Sequence, residues 1–393
     1  MKILISINAL QMGGGQLFAI RLANFLSKDH EVILYDHEPT RRDEKIYGLV
    51  AAGVRKISFL NNRLERIIYN KIIRRLPGSE VIIRYLRIIK FRYYTWREKP
   101  DIINSHIIGS DVIAGRGKGP VPVVVSSHGC YEDLLLKEPG SSAGLSALLK
   151  HYDGFIYAAD KNIALFDPHM LSRVRPRKIY YGLPAAPAGS MTRDMFGMSE
   201  ADFVFGMAAR SIPSKGWEEA IAAFGQLQRT CPDRRLHFFI LANETDYFFS
   251  LKQKHADNKS LHFIGYVADT LAWIPLFDVA LLPTYFPGES LPNAIIEYLA
   301  CGKPIVTSEI GEIPSMITDV AGNKAGIVVP LNEQRRVHPG LLYQAMHEML
   351  TDDQARNAMQ RTARAAFVQF HMDTCADQYI RYFSEVISRQ RPQ

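Results

Sequence analysis

Val279-Ala280-Leu281-Leu282-Pro283-Thr284-Tyr285-Phe286-Pro287-Gly288-Glu289-Ser290-Leu291-Pro292-Asn293-Ala294-Ile295-Ile296-Glu297 runs from a short apolar strand into the start of a helix. Val279 to Leu282 show no polar alternation, so such a strand is covered on both faces, as in a parallel sheet flanked by helices. Ser290 reads as an N-cap and Pro292 as a first-turn residue, where a missing N–H costs little, so a helix is predicted from Leu291. Its free N–H groups and positive dipole end then stand at the carboxyl edge of the sheet, an anion site suited to phosphate. Glu297 falls roughly 10 Å further along the axis, at about 1.5 Å per residue. A carboxylate accepts hydrogen bonds from two neighbouring hydroxyls, so each Glu suits a vicinal diol. Spacing alone leaves a second reading equally open, with Glu289 as a first-turn dipole partner and Glu297 as a solvent-facing residue.

The same strand-then-helix pattern repeats in both directions. Strands are predicted at Ile3–Ile7, Glu31–Tyr35, Ile102–Ser105, Val121–Ser126 and Phe155–Ala158, then at Phe203–Met207, His237–Leu241, His262–Ile264, Val279–Leu282, Ile305–Ser308 and Gly326–Val328. Helical patterns between them predict an α/β chain of two Rossmann-like, doubly wound parallel-sheet domains. The 393 residues are comfortable for two domains of that size. Pro and Gly cluster at Gly182–Gly189, which places the linker there. The expected domains are 1–187 and 188–371, with a terminal helix over 372–393 that packs back on either. Ligands are then expected in a cleft at the carboxyl ends of the strands. The opening Met1–Ile7 reads as a strand rather than a signal peptide, and no apolar stretch is long and charge-free enough to span a membrane. Cys130, Cys231, Cys301 and Cys375 stand far apart, which argues against a zinc site or disulfide framework and fits a reducing cytoplasm.

Three further stretches sit at predicted carboxyl edges. Ala208-Ala209-Arg210-Ser211-Ile212-Pro213-Ser214-Lys215-Gly216 places two cations around a turn; a breaking phosphate ester leaves negative charge that fixed cations stabilise, though a solvated Arg and Lys are commoner. Met12-Gly13-Gly14-Gly15-Gln16 opens a helix expected over Leu17–Ser27, with glycines that allow close backbone approach to a ligand. As a dinucleotide fingerprint, with Asp36 on a ribose, it fails at the third glycine, where Phe18 stands. Ser126-Ser127-His128-Gly129 ends a strand, and His128 is either a hydroxyl ligand near developing positive charge or a structural histidine.

Taken together, Arg210, four residues, Lys215-Gly216, and Glu289, seven residues, Glu297, followed by Ala300-Cys301-Gly302-Lys303-Pro304, resemble the signature of the family 4 retaining glycosyltransferases of GT-B fold. The likeness is close from Arg210 to Pro330 and confined to a few points before it. It implies transfer of a hexose-type sugar from a nucleotide diphosphate-sugar to a saccharide acceptor. His128, Arg210, Lys215 and Glu289 are the catalytic positions. Donor contacts come from Gly14, Gly15, Arg210, Lys215, Val267, Glu289, Ser290, Leu291, Pro292, Asn293 and Glu297. Glu289 holds the transferred sugar, Glu297 the ribose, and the two cations the diphosphate, so no metal and no cofactor is expected. Ser290 stands where the family usually has Gly, Gln16 where it often has an acid, and Tyr180-Tyr181-Gly182 where it often has Asn-Gly. A nucleotide-sugar epimerase on the same fold and a non-catalytic sugar-nucleotide-binding partner are the alternatives.

The net charge of +7 is concentrated. Residues 55–99 carry 13 Lys/Arg against three acids, a balance of +10 that leaves −3 for the remainder. At about 100° per residue, Arg63, Arg66, Lys71, Arg74 and Arg75 share one side of a helix, with Ile68, Tyr69, Ile72, Ile73 and Leu76 opposite. A second run mixes Arg84, Arg87, Lys90, Arg92 and Arg97 with Ile and aromatic residues. This composition suits an anionic membrane surface, and with it a lipid-linked acceptor in cell-envelope polysaccharide or lipopolysaccharide synthesis, on the cytoplasmic face. A solvated helix pair is the plainer reading; nucleic acid is not expected, since no binding motif accompanies the charge.

Overall fold

The computed structural model describes residues 1–129, 146–164, 166–185 and 189–390. The chain divides into two units, Met1–Gly182 with Met372–Gln393, and Leu183–His371. The boundary expected at 187/188, part of the predicted linker and Cys130 lie outside the described residues.

In unit 1 the strands are β1 (Lys2–Ile7), β2 (Glu31–Asp36), β3 (Arg55–Ser58), β4 (Ile102–His106), β5 (Val123–Ser127), β6 (Gly154–Tyr157) and β7 (Arg177–Lys178), in the order β3-β2-β1-β4-β5-β6-β7. Every pairing is parallel. Helix α1 (Gly14–Leu26) follows β1, α2 (Arg63–Lys71) and α3 (Ser79–Glu98) lie between β3 and β4, and α4 (Ile108–Gly117) follows β4. The apolar runs of β1 and β5 are fully buried, as strands covered on both faces must be. The order reverses direction at β1/β4, so the chain leaves these two neighbours towards opposite sides and opens a crevice at their carboxyl ends.

Unit 2 repeats the plan with β8 (Phe203–Ala208), β9 (Leu236–Leu241), β10 (Leu261–Gly265), β11 (Val279–Leu282), β12 (Ile305–Ser308) and β13 (Gly326–Val329), ordered β10-β9-β8-β11-β12-β13 and all parallel. Helices α5 (Trp217–Thr230), α6 (Asp246–Lys254), α7 (Asn293–Ala300), α8 (Pro339–Thr351) and α9 (Asp353–Phe367) surround the sheet. Its switch point is β8/β11. The hydroxyl of Tyr298 on α7, itself fully buried, accepts from the Ala208 amide at 2.7 Å and donates to the Leu281 carbonyl at 3.2 Å. One side chain thereby clamps both switch strands to the helix that follows them.

Helix α10 (Met372–Gln390) belongs to unit 1. Tyr382 Oη accepts from the Phe155 amide at 2.9 Å and donates to the carbonyls of Val174 and Arg175, tying α10 to the sheet.

Candidate active site

In unit 2 the turns after β8 and β11 meet at the carboxyl edge. Gly216 makes this possible: its φ of 84° is left-handed, and a Cβ there would overlap the Pro283 carbonyl oxygen. The close approach brings Lys215 Nζ onto Glu289 Oε2, with both side chains buried. Thr284 Oγ1 donates to the same carboxylate oxygen at 2.9 Å. Burial pushes the Lys215 pKa down, the Glu289 carboxylate opposes that, and the Arg210 guanidinium adds to it. Arg210 is exposed, and its guanidinium lies 5.0 Å from the centroid of the Phe286 ring, with Lys215 Nζ 5.3 Å from the same centroid. Two cations therefore converge on one aromatic platform. Mutual repulsion disfavours that arrangement unless an anion sits between them, and Glu289 is the anion at hand. The Arg210 backbone is pinned separately, its carbonyl accepting from Trp217 Nε1 at 2.9 Å.

Helix α7 starts later than its sequence predicts. Ser290 is not its cap: Pro292 is, at φ −67° and ψ 123° and without a side-chain cap bond, and the helix runs Asn293–Ala300. Proline disfavours helical backbone at the residue before it, so Leu291 cannot be the first helical residue. The Ser290 carbonyl is instead taken by the Glu312 amide at 3.1 Å. Glu289, Ser290, Leu291 and Pro292 thus form a buried segment that bends at Ser290 and Leu291 before entering α7. Glu297, read from spacing as solvent-facing or ribose-binding, is buried on α7 and accepts from Thr270 Oγ1 at 2.8 Å. Asn293 is half-buried in the first turn, and Val267 is half-buried just after β10.

Unit 1 gathers a second group at its own switch point. Gly14 opens α1 and is exposed, and Gly15 lies against His128: a Cβ on Gly15 would stand 2.9 Å from the imidazole Cγ. His128 Nε2 is 2.8 Å from His106 Nδ1, and His128 Nδ1 is 2.8 Å from Tyr181 Oη. Phe18 packs on the Tyr181 ring at 4.7 Å and on the His128 ring at 5.8 Å. Burial pushes the His128 pKa down to about 3, and burial and the neighbouring His128 push that of His106 well below its usual value. Both rings are neutral at physiological pH. Ile107, which joins β4 to α4, has φ 74°, a strained backbone for a β-branched residue, beside His106 at the switch point. The dinucleotide reading finds no support: Asp36 is already satisfied by Arg42 at 3.1 and 3.2 Å and by the Glu38 amide at 3.0 Å.

Residues 202–352 match the family described as Glycosyl transferases group 1, and residues 12–165 match Glycosyltransferase Family 4. The chain belongs to the family 4 glycosyltransferases. This glycosyltransferase is 26% identical over 362 residues to glycogen synthase of Mycobacterium tuberculosis, covering 82% of this chain and 83% of that protein. It is 25% identical over 274 residues to a GDP-mannose-dependent monoacylated alpha-(1-6)-phosphatidylinositol monomannoside mannosyltransferase of Corynebacterium glutamicum, covering 65% and 68%. HepE of Anabaena, solved with UDP and glucose, superposes with a TM-score of 0.72 at 18% identity over 98% and 99% of the two chains. WaaG, a glycosyltransferase involved in lipopolysaccharide biosynthesis, gives 0.63 at 15% identity over 96% and 98%. The fold is GT-B.

Several residues of the glycosyltransferase's two clusters escape a motif reading. Phe286, Thr284 and Thr270 carry no signature, although Thr284 lies between β11 and Glu289 and could have been found by that position alone. His106, at the carboxyl end of β4, is the equivalent signal in unit 1.

Proposed function

We propose that this glycosyltransferase moves a hexose-type sugar with retention of configuration from a nucleotide diphosphate-sugar to a lipid-linked saccharide, without a divalent metal. The observation that carries the donor reading is the pair Arg210 and Lys215 gathered over Phe286 at the β8/β11 switch point, with Lys215 held on Glu289. A diphosphate is the anion that two such cations fit: Arg chelates two oxygens and Lys acts as a point charge. The α7 N-terminus adds its dipole, Glu289 takes sugar hydroxyls, and Glu297 the ribose diol. Gly14 and Gly15, Ser290, Leu291, Pro292, Asn293 and Val267 contribute backbone contacts, and His128 takes a hydroxyl of the transferred sugar.

In the step itself the bond from the anomeric carbon to the diphosphate oxygen breaks and a bond to the acceptor oxygen forms on the same face. The acceptor proton passes to the departing phosphate. The charge that develops on the diphosphate is met by Arg210 and Lys215, which takes the place of metal assistance. Incubating the protein with a panel of nucleotide diphosphate-sugars and lipid-linked saccharides tests this directly, with product stereochemistry read by NMR. Transfer with retention, undiminished by chelator, is expected; inversion, or activity restored only by manganese, overturns it.

The acceptor reading rests on helices α2 and α3. Among the described residues, eleven of the nineteen exposed large apolar side chains lie between Leu64 and Trp96. Leu64, Ile89 and Trp96 are 66%, 64% and 71% exposed. Exposed Arg63, Arg66, Lys71, Arg74, Arg84 and Arg92 are interspersed. The pair was expected to lay its apolar side on the sheet if it were only solvated, yet Ile68, Ile72 and Leu76 stand exposed and only Tyr69 of α2 is buried. No described helix is long and apolar enough to cross a membrane. A basic, apolar surface of this size fits an anionic bilayer, each well-placed cation adding about 1 kcal/mol. Working there, the enzyme would serve cell-envelope polysaccharide or lipopolysaccharide synthesis on the cytoplasmic face. Sedimentation with vesicles containing anionic lipid should pull the protein down at low salt; equal binding to neutral vesicles, or none, removes this half of the proposal.

A further inference from the structure

A chain of hydrogen bonds that starts in the core of unit 1 and ends at half-buried His128 decides which nitrogen of His128 carries the proton. It starts at Val124, whose backbone carbonyl accepts from Asn104 Nδ2 at 3.1 Å, while the same amide nitrogen donates to Ser126 Oγ at 3.0 Å. With its amide protons so used, Asn104 turns Oδ1 towards His106 Nε2, 2.7 Å away. A carbonyl oxygen only accepts, so His106 Nε2 must carry the proton. A neutral imidazole has one proton, which leaves His106 Nδ1 as a lone pair. His128 Nε2, 2.8 Å from it, therefore donates. By the same count His128 Nδ1 is an acceptor, and the Tyr181 hydroxyl donates to it at 2.8 Å.

The chain cannot run the other way. Reversal would need Asn104 to flip, setting its oxygen against the Val124 carbonyl, and a buried clash of two acceptors is costly. A backbone carbonyl of β5 thus dictates the tautomer of a ring three hydrogen bonds away. Packing fixes the ring as well: the His106 and His128 rings are 17° from parallel with centroids 5.1 Å apart, and Gly15 and Phe18 close other sides.

We propose that His106 is a positioning residue, locking His128 as the Nε2–H tautomer so that the Nδ1 lone pair is offered to a hydroxyl, with the Tyr181 hydroxyl in that place here. The assignment of the hydroxyl to the sugar rests on the function proposed above; the tautomer does not. A group that can donate displaces Tyr181 from Nδ1, whereas a carboxylate or a ketone meets lone pair with lone pair. The site therefore selects a sugar bearing a free hydroxyl at that position over its uronate, keto or deoxy analogue.

Long-range proton–nitrogen NMR of the histidine-labelled protein at neutral pH reads the tautomer without any turnover. His128 should be protonated at Nε2 in the parent and in His106→Gln, whose amide accepts from His128 and donates to Asn104. His106→Phe should mix the tautomers, and Tyr181→Phe should keep Nε2–H while the Nδ1 resonance moves towards its unbonded position. In turnover, His106→Phe should lower kcat about 10-fold with the donor KM little changed, and His106→Gln should restore most of it. A parent protein protonated at Nδ1, or an unaltered tautomer in a folded His106→Phe, overturns the lock. Should His106→Phe not fold, the Tyr181→Phe spectrum decides alone, since loss of Nε2–H there contradicts the chain. A protein with the expected tautomer but no sugar transfer would refute the proposed function and leave the lock standing.

Discussion

Lys215 and Glu289 are a buried ion pair whose members have separate assignments, one to phosphate and one to sugar. A buried charge is tolerable only while paired, so each holds the other in place until a donor offers both a new partner. Substitution separates the two tasks. Lys215→Ala should lower kcat about 10²–10³-fold, as removal of one oxyanion donor does. It also strands the Glu289 carboxylate, and should destabilise unit 2 by about 3 kcal/mol in thermal unfolding. Exposed Arg210 makes no ion pair with a buried group among the described residues, so Arg210→Ala should show the same loss of kcat with a melting temperature close to the parent's. Near-normal turnover in both variants would sink the diphosphate clamp. Glu297→Ala should mainly raise the donor KM, because a ribose is bound alike before and during the reaction. The identities of these residues are legible in sequence because the chemistry needs charges at fixed spacing along the chain. Their partners are not: Phe286 and Thr284 lie about seventy residues from Lys215, and only the register of β8 beside β11 brings them together.

The parallel core strands are readable because burial on both faces demands continuous apolar runs. β3, with the sequence Arg55-Lys56-Ile57-Ser58, and the two-residue β7 lie at the sheet edges, where one side is solvated and the pattern fades. The start of α7 is misread because Ser290 offers a better cap than Pro292 in isolation, while proline's restriction on Leu291 acts one residue earlier. Gly216 shows the same point in reverse, since nothing in its neighbours predicts that the Pro283 carbonyl will press on it. Gly216→Ala should cost about 2 kcal/mol or more through left-handed strain and overlap, lowering the melting temperature; an unchanged melt would mean that the two turns can part freely. Helices α2 and α3 supply the contrasting test. Replacing Ile89 and Trp96 together by Ser removes apolar surface that the protein does not bury, so stability should stay within about 0.5 kcal/mol. Vesicle binding should fall at least about tenfold, given roughly 1.5–3 kcal/mol for each large side chain transferred from water. A drop in stability without a drop in binding would show the face packed against protein instead.

Unit 1 carries three neutral histidines, His37 and His106 buried and His128 half-buried, and this gives the whole molecule an acid dependence that no single site would. His37 is fully buried and pushed by burial down to about 3, His128 is pushed to the same value, and burial with the neighbouring His128 holds His106 well below an ordinary 6.5. Between those limits the unfolded chain binds a proton at each ring that the folded chain refuses, so stability rises with pH and is lost as pH falls. Each such group contributes about 1.4 kcal/mol per pH unit. Asp36 works against them: burial lifts its carboxyl to about 6, so below that pH the folded chain takes up a proton before the unfolded one does. His37 and His128 against Asp36 leave a net slope of about 1.4 kcal/mol per unit between pH 6 and 4, and His106 steepens it in the same direction. Against a total stability of about 5–15 kcal/mol that slope is a sizeable fraction, so unit 1 should be markedly less stable at pH 4.5 than at pH 7. Thermal melts from pH 7 to 4.5 should show a steep decline, and His37→Asn should flatten it by about one proton's worth. A melting temperature that stays level to pH 4.5 would mean that these rings are charged in the folded protein, and neutral imidazoles could then no longer define the direction of the hydrogen-bond chain that ends at Tyr181.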